Sequence, residues 1–380
     1  MSAPQKSSPA SFLKLSQDVA SFYGFRPLRE IEKSLAPGIY KRGAHNFSSA
    51  STALAHSSGG VLPEPVMAYY ASASPLHVPG GWPAREVGEF GLQVAGAKES
   101  VGEVFLLKTV ATILSEWGGT MTRVRINALG DRDSRQRFAR ELSSYLRRQS
   151  HNLSPECRDK APEDPMAVFA CADEACRAAL ESGPRAMNFL SEKSRAHFRE
   201  VLEHLEHLGL PYELDDMLMG DEREPRVAFA IDLNEDATVL GSIGGRFDDH
   251  VRRLTGHKEA TAVHASLFFR KKGLTASNFQ LESPTGRPRI YFVQLGMRAK
   301  LRSLEVSDIL RVARIPVLQS FDSSRLSPQL LAATAAGVSH LIIMGQREAL
   351  DGTVIVRAAD NSAQTTLGLS QLPRYLKALH

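Results

Sequence analysis

The feature that most constrains the fold is an apolar, strand-like run that breaks at two adjacent glycines. It occupies residues 240–251 and reads Leu-Gly-Ser-Ile-Gly-Gly-Arg-Phe-Asp-Asp-His-Val. Gly244 and Gly245 tolerate positive φ and allow another backbone or a ligand to approach closely. Arg246 and Asp248 follow two residues apart, where the strand would lead into a helix beginning near Asp248. Taken alone, these residues are explained most simply as a glycine-rich turn between a strand and a helix.

Composition narrows the class of protein. A chain of 380 residues with 43% hydrophobic and 23% charged residues is typical of two or three soluble globular domains. No apolar run approaches the ~20 residues needed to cross a bilayer, so no membrane association is expected. The three cysteines, Cys157, Cys171 and Cys176, are an odd number without a repeated spacing. This predicts reduced thiols and a cytoplasmic location rather than a disulfide framework.

Hydrophobic periodicity predicts helices and strands in the body of the chain. Residues 1–10 are rich in Ser, Pro and Ala and predict a flexible tail, followed by a helix with an apolar stripe at Phe12, Leu15, Val19 and Phe22. The block 131–210 reads as helical throughout. Strands are predicted over 85–96, 122–129, 227–233, 238–243 and 261–267, and a long apolar helix over 99–117.

The helix at 191–208 presents glutamates and histidines on its polar side. Glu/His pairs four residues apart suit a metal ion. A solvated polar face explains them better because no second group of ligands is visible, so no metal site and no cofactor is predicted.

The C-terminal part alternates strands and helices and predicts a compact α/β unit with a partly parallel sheet. Four strands are expected, at 289–295, 315–321, 340–344 and 353–357, with helices at 298–313 and from Ser327 to Gly337. From Ser283 onward there are 12 Lys and Arg against 6 Asp and Glu, whereas the rest of the chain carries about −2. This basic excess fits contact with phosphates, and it also fits mere solubility.

Several stretches, in order, resemble the histidyl-tRNA synthetase family of class II aminoacyl-tRNA synthetases. The segment 89–96, Glu-Phe-Gly-Leu-Gln-Val-Ala-Gly, is similar to the strand that closes the family's second class-defining motif. Asn127-Ala128-Leu129-Gly130 is similar to its N-S-L-G strand end, and 242–251 to the G-G-R-Y-D segment of the histidine pocket. Residues 287–378 resemble the anticodon-binding domain.

The resemblance implies an α+β fold. A class II synthetase-like antiparallel sheet would span 11–280 with a helical insertion at 131–210, and an anticodon-binding-like α/β domain would span 287–380. It also implies a homodimer paired through about Phe12 to Leu35, with the apolar stripe of the first helix at the interface.

The departures from the family pattern concern its positive charges. The family has one arginine in its second motif, one in L-V-R-G-L-D-Y-Y and one in G-L-E-R. At the matching positions this sequence has, in that order, Pro75, Met219 and Phe269. The T-L-R-P-E stretch has no counterpart between Tyr40 and Val66. Because such arginines neutralise the phosphates of ATP, their loss predicts that the chain does not adenylate histidine. Arg85, Arg226 and Arg270 are the candidates that would restore a charge.

The sequence thus predicts a catalytically degenerate synthetase-like protein with a regulatory or tRNA- or RNA-binding role, or with a protein partner. The candidates for a surviving ligand pocket are Gln93, Gly244, Gly245, Arg246 and Asp248. The RNA-binding candidates are Arg298, Arg302 and Arg311, which are expected to share or border one helical face. Two alternatives remain: a divergent active histidine–tRNA ligase, and a synthetase-like regulatory subunit of ATP phosphoribosyltransferase.

Overall fold

The structure is a computed structural model that describes residues 8–33, 66–78, 82–119, 121–221, 223–233, 238–282, 289–319 and 325–379. The segment expected to lack a T-L-R-P-E counterpart lies almost wholly outside these residues.

An eight-stranded sheet forms the body of the chain, with the order β1-β2-β3-β8-β7-β6-β4-β5. The central pairings are antiparallel, as predicted, and the two edge pairings, β1 with β2 and β4 with β5, are parallel. The strands are β1 Arg26–Pro27, β2 Val66–Ser72, β3 Val87–Ala95, β4 Met121–Ala128, β5 Tyr212–Leu214, β6 Val227–Leu233, β7 Val239–Arg246 and β8 Ala262–Arg270.

Two helices cover one face of this sheet: α1, Pro9–Phe22, and α3, Val101–Trp117, while the short α2 spans Leu28–Lys33. The side chain of Ser8 caps α1 by accepting from the backbone N–H of Ser11. Phe12 is fully buried, with its ring centroid 5.4 Å from those of Trp117 and Phe269. Phe22 is also buried, so most of the stripe expected at a dimer interface packs inside the chain's own core.

The block 131–210 is helical, as predicted, and contains α4 Arg132–Arg148, α5 Pro155–Lys160, α6 Glu174–Glu181 and α7 Glu192–His207, joined by short 3₁₀ turns. It has a small apolar core of its own, which includes Phe138, Leu142 and Leu146 from α4. Helix α8, Asp248–Thr255, follows β7 and begins at the residue that the sequence predicts.

The C-terminal domain contains a five-stranded sheet with the order β10-β9-β11-β12-β13. Strands β9, β10 and β11 are parallel, and β12 and β13 continue the sheet in antiparallel fashion. The elements are β9 Ile290–Gln294, α9 Met297–Val312, β10 Leu318–Gln319, α10 Leu326–Ala336, β11 His340–Met344, α11 Gln346–Asp351, β12 Thr353–Ala358, β13 Gln364–Gly368 and α12 Leu372–Ala378. The four-strand prediction is therefore wrong by one strand, and the expected turn at Asp351-Gly352 is the end of the short helix α11.

Helix α9 docks the C-terminal domain on α1 and α3. The ammonium group of Lys300 is fully buried and lies 2.7 Å from the Glu99 carboxylate. Asp308 accepts from the Tyr23 hydroxyl at 2.6 Å and pairs with Lys108 at 2.9 Å. The domain interface is thus built from charged groups as well as apolar ones. Among the described residues, no helix has the length and apolar character needed to cross a membrane.

Candidate functional site

The two glycines of β7 lie in extended backbone and allow neighbouring strands to pack closely. A Cβ on Gly244 would lie 2.2 Å from the carbonyl oxygen of His264 and 2.4 Å from the Phe229 ring. A Cβ on Gly245 would lie 2.3 Å from the carbonyl oxygen of Val227. Neither glycine has positive φ. The space that they leave is therefore filled by protein, and the expectation that it admits a ligand is wrong.

Arg246, at the end of β7, is held by acceptors from the protein itself. Its Nε and Nη2 donate to the two carboxylate oxygens of Glu103, each at 2.6 Å. The remaining N–H groups donate to the carbonyl oxygens of Ala97 and Glu99, both at 2.9 Å, and to Asp248 at 3.3 Å. All five donors of the guanidinium are used, and its side chain is 2% exposed. The geometry assigns Arg246 to the scaffold.

Glu103 of α3 lies at the centre of this buried charge cluster. Burial alone would raise its pKa, but the Arg246 guanidinium and His197 outweigh that effect and lower the pKa to about 2. The Nε2 of His197 on α7 lies 2.6 Å from the same carboxylate oxygen that Arg246 Nε contacts. One carboxylate therefore joins α3, α7 and the end of β7.

Gln93 lies on the opposite face of the sheet from Arg246. It pairs across the strands with His264, which in turn pairs with Gly245, and directly opposed residues share a face. Arg246 is the next residue along β7, so it points to the face covered by α3. The five residues predicted to form a ligand pocket do not line one cavity.

A buried polar network occupies the face that carries Gln93. The Glu89 carboxylate accepts from the Tyr70 hydroxyl at 2.9 Å and from the Ser266 hydroxyl at 2.6 Å. The Nε2 of His264 is 2.9 Å from the Ser266 oxygen. Burial raises the pKa of Glu89, and its contacts with His264, Ser266 and Tyr70 lower it below the usual value on balance. Burial in turn lowers the pKa of His264.

An arginine that follows β5 closes this face. Arg223 is 3% exposed and donates through Nε to both oxygens of Asp221 at 2.9 Å. Its guanidinium carbon lies 4.4 Å from the centroid of the Phe247 ring, and that ring meets His264 edge-on. Arg223 is not among the candidate residues that the sequence predicts. The pairing with Asp221, two residues away, is the local signal that could have indicated its role.

The three positions compared with family arginines lie in three different parts of the fold. Pro75 follows β2, Met219 packs on the small core of the helical block, and Phe269 faces the core under α1. Arg270 is the last residue of β8, so it points to the face opposite Phe269, at the exposed end of the strand. Arg85 is also exposed, and Arg226 pairs with Asp248 at 3.2 Å.

A small cationic cleft opens beside Arg246 on the helix-covered side of the sheet. Its volume is about 140 Å³, and its lining includes Lys98, Lys193, His197, Arg226 and Arg252, with Asp248 and Glu259. The sequence did not indicate this cleft, because its residues come from six separate segments. The excess of cationic side chains in this lining suits an anion.

The three arginines predicted to bind RNA do not share one face of α9. Arg298 is exposed in the first turn. Arg302 is partly exposed and pairs with Glu305, three residues on. Arg311 contacts Glu116 of α3 and is only 14% exposed, which places it at the domain interface. The expectation of a common face is therefore wrong for Arg311, since thirteen residues of helix rotate it away from Arg298.

Comparison with known proteins agrees with this architecture. Residues 290–379 match the family model described as the anticodon binding domain. The histidine–tRNA ligase of Rhodospirillum rubrum is 29% identical over 337 residues, which cover 87% of this chain and 79% of that protein. The corresponding ligase of Synechococcus sp. strain JA-3-3Ab is 28% identical over 296 residues, with coverage of 77% and 70%.

A solved structure shares the fold. Apo histidyl-tRNA synthetase from S. aureus superposes with a TM-score of 0.50 at 19% identity, covering 99% of this chain and 100% of that one.

Proposed function

We propose that this chain is a histidyl-tRNA synthetase-like protein that binds tRNA or a related RNA through its C-terminal anticodon-binding domain and does not form histidyl adenylate. The prediction that no histidyl adenylate forms rests on the closed polar face of the main sheet, which is the face that carries Gln93, the buried polar network and Arg223. The prediction of RNA binding rests on the distribution of arginines in the C-terminal domain.

The closed polar face of the main sheet is inconsistent with an adenylation site at this position. The resemblance places the histidine pocket along β3 and the end of β7, where Tyr70, Glu89, His264 and Ser266 are hydrogen-bonded to one another. Arg223 is held over this network by Asp221 and Phe247, so its charge is already neutralised. A triphosphate in this place would have to displace a buried ion pair, and breaking such a pair costs roughly 3–5 kcal/mol.

Topology places three arginines at one edge of the C-terminal sheet. Strands β9, β10 and β11 are parallel, so their carboxyl ends meet at the same edge. Arg298 and Arg347 are the second residues of α9 and α11, and Arg325 immediately precedes α10. All three are exposed. This set replaces the predicted set of Arg298, Arg302 and Arg311 as the better candidate for contact with a phosphate backbone.

The electrostatics of this edge favour an anion. Arg298 and Arg325 are each next to a helix N-terminus without a side-chain cap, where unpaired N–H groups carry partial positive charge, whereas the Glu348 carboxylate caps the start of α11 beside Arg347. Gln346 of α11 approaches Gly296, which precedes α9, so two of the three helix starts are neighbours. Arginine also forms bidentate contacts with phosphate.

Filter binding of unfractionated tRNA to the full chain over a range of salt concentrations tests the RNA role. For the wild type we expect affinity to fall as salt rises, because neutralised phosphates release counterions. The double variant Arg298→Ala/Arg347→Ala should bind more weakly and lower the slope of log K against log salt by about 1 to 2.

Arg289→Ala is the matched control. Arg289 is exposed and belongs to the same domain, but it precedes β9 and therefore lies at the opposite edge of the sheet. Its affinity and salt slope should equal those of the wild type. Failure to retain tRNA at low salt, or a double variant that behaves like Arg289→Ala, would refute the RNA role.

An active histidine–tRNA ligase is the second candidate, and the names of the relatives favour it. Histidine-dependent exchange of pyrophosphate into ATP separates the two. We expect exchange at background for this chain. Exchange that depends on histidine, and that Arg226→Ala or Arg270→Ala abolishes, would establish the ligase and identify the displaced arginine.

A further inference from the structure

All three cysteines of the chain meet at one point in the helical block. Cys157 lies in α5, Cys171 ends the 3₁₀ turn Pro165–Ala170, and Cys176 lies in α6. Their sulfur atoms are all within 4.8 Å of one another. We propose that Cys157, Cys171 and Cys176 form a thiolate site for a soft divalent cation of the zinc class.

The separation of the sulfurs suits such an ion. Zinc–thiolate bonds of about 2.3 Å in a tetrahedral arrangement separate the sulfurs by about 3.8 Å. The observed cluster would therefore contract by no more than about 1 Å. Ligation also explains why three thiols converge, since a disulfide uses only two and leaves the third without a role.

Backbone groups are aimed at two of the sulfurs. The N–H of Ser154 donates to the sulfur of Cys176 at 3.2 Å, and the N–H of Asp173 hydrogen-bonds the sulfur of Cys171. Hydrogen bonds to ligand atoms of this kind orient metal ligands and tune the bound ion. Cys157 and Cys176 are buried and Cys171 is half-buried, so an ion reaches the site past Cys171.

Ser154 lies on the side of the cluster where a fourth ligand of a tetrahedral ion would be placed. Its hydroxyl oxygen lies 4.0 Å from the sulfur of Cys171 and caps α5 by accepting from the N–H of Cys157 at 3.3 Å. Among the described residues, no histidine or carboxylate joins the cluster. The fourth position is thus open to solvent or to the Ser154 hydroxyl. Binding would release the thiol protons and connect α5, the 3₁₀ turn and α6, which otherwise share only a small apolar core.

Cobalt(II) titration of the reduced, chelator-treated full chain tests the site, because thiolate-bound cobalt gives charge-transfer and tetrahedral ligand-field bands. We expect one cobalt per chain, displaced by one equivalent of zinc. Cys171→Ser, at the half-buried position, should fold as judged by circular dichroism and should weaken binding by more than the ~10- to 100-fold typical of losing an outer-shell partner.

Ser154→Cys and Ser154→Ala complete the design. Ser154→Cys supplies a fourth thiolate and should tighten cobalt and zinc binding at least about tenfold, whereas Ser154→Ala should retain the wild-type stoichiometry. Zinc should also raise the unfolding temperature of the wild type but not that of Cys171→Ser. The proposal is overturned if the wild type shows no thiolate bands, or if Cys171→Ser binds like the wild type. Thiol counting that finds two of the three groups oxidised in reducing buffer, without metal, would overturn it in favour of a disulfide.

Discussion

Replacing Arg246 with alanine is predicted to destabilise the fold rather than to abolish ligand binding. The substitution removes the guanidinium that pairs with Glu103 and leaves a fully buried carboxylate beside His197. It also removes the donors to the carbonyl oxygens of Ala97 and Glu99. These losses lie at the junction of β7, α3 and the loop after β3.

Two separate arguments give similar magnitudes for the stability that Arg246→Ala would lose. Removing one partner of a buried ion pair costs about 3–5 kcal/mol. The pKa of Glu103 falls from 4.5 to about 2 in the folded state. At about 1.4 kcal/mol per pKa unit, that difference corresponds to roughly 3 kcal/mol of stability at neutral pH. We therefore expect Arg246→Ala to lower the free energy of unfolding by about 3–5 kcal/mol.

Urea unfolding followed by tryptophan fluorescence measures this loss, since Trp117 ends the same helix that carries Glu103. Arg253→Ala is the control: Arg253 lies on α8 and pairs with Glu224, but its side chain is 58% exposed. An exposed pair contributes ~0–1 kcal/mol, so this variant should unfold close to the wild type. If Arg246→Ala and Arg253→Ala unfold at the same urea concentration, the assignment of Arg246 to the scaffold is refuted.

Three further predictions concern stability. Gly244→Ala should cost about 3 kcal/mol or more, because its Cβ would overlap backbone at 2.2 Å; a soluble variant with an unchanged urea midpoint would contradict this. Glu99→Ala should cost about 2–3 kcal/mol because it leaves the Lys300 ammonium buried and unpaired, whereas Lys300→Met should change stability by less than about 1 kcal/mol; equal effects in calorimetry would contradict this asymmetry. The contribution of Glu103 is fully present above its unfolded pKa of 4.5 and is lost as pH falls toward about 2; acid unfolding that Glu103→Gln leaves unchanged would contradict it.

Local pattern was sufficient to predict many elements of the fold. Strand β11 has the predicted bounds, His340–Met344, because a short apolar run lies between turn residues. Helix α8 begins at Asp248, where the acidic residues suit a helix N-terminus. Strand β13 was missed because its residues are mostly polar and half-exposed, as is common in an edge strand with one solvated face.

The candidate site was less predictable because its contacts are long-range. Arg246 and its partner Glu103 are 143 residues apart, so no local spacing links them. Strand register decides that Gln93 and Arg246 lie on opposite faces, and a register cannot be read from one strand alone. The three cysteines were dismissed for lack of a repeated spacing, yet the turns between α5 and α6 bring them together.

The basic residues of the C-terminal domain fall into two groups, and the interactions of the two groups depend differently on salt. Part of the basic excess of the C-terminal domain faces the body of the chain, where Lys300 meets Glu99 and Arg311 meets Glu116. The basic partner of each pair is buried or nearly so, and salt therefore screens these pairs less than it screens fully exposed charges. The arginines at the edge of the sheet are exposed, and their attraction for phosphate depends strongly on salt. We therefore expect Arg298→Ala/Arg347→Ala to reduce the dependence of tRNA affinity on salt, while the unfolding temperature stays constant over the same salt range. These two results together would assign the RNA contact to the edge of the C-terminal sheet and not to movement of the domains.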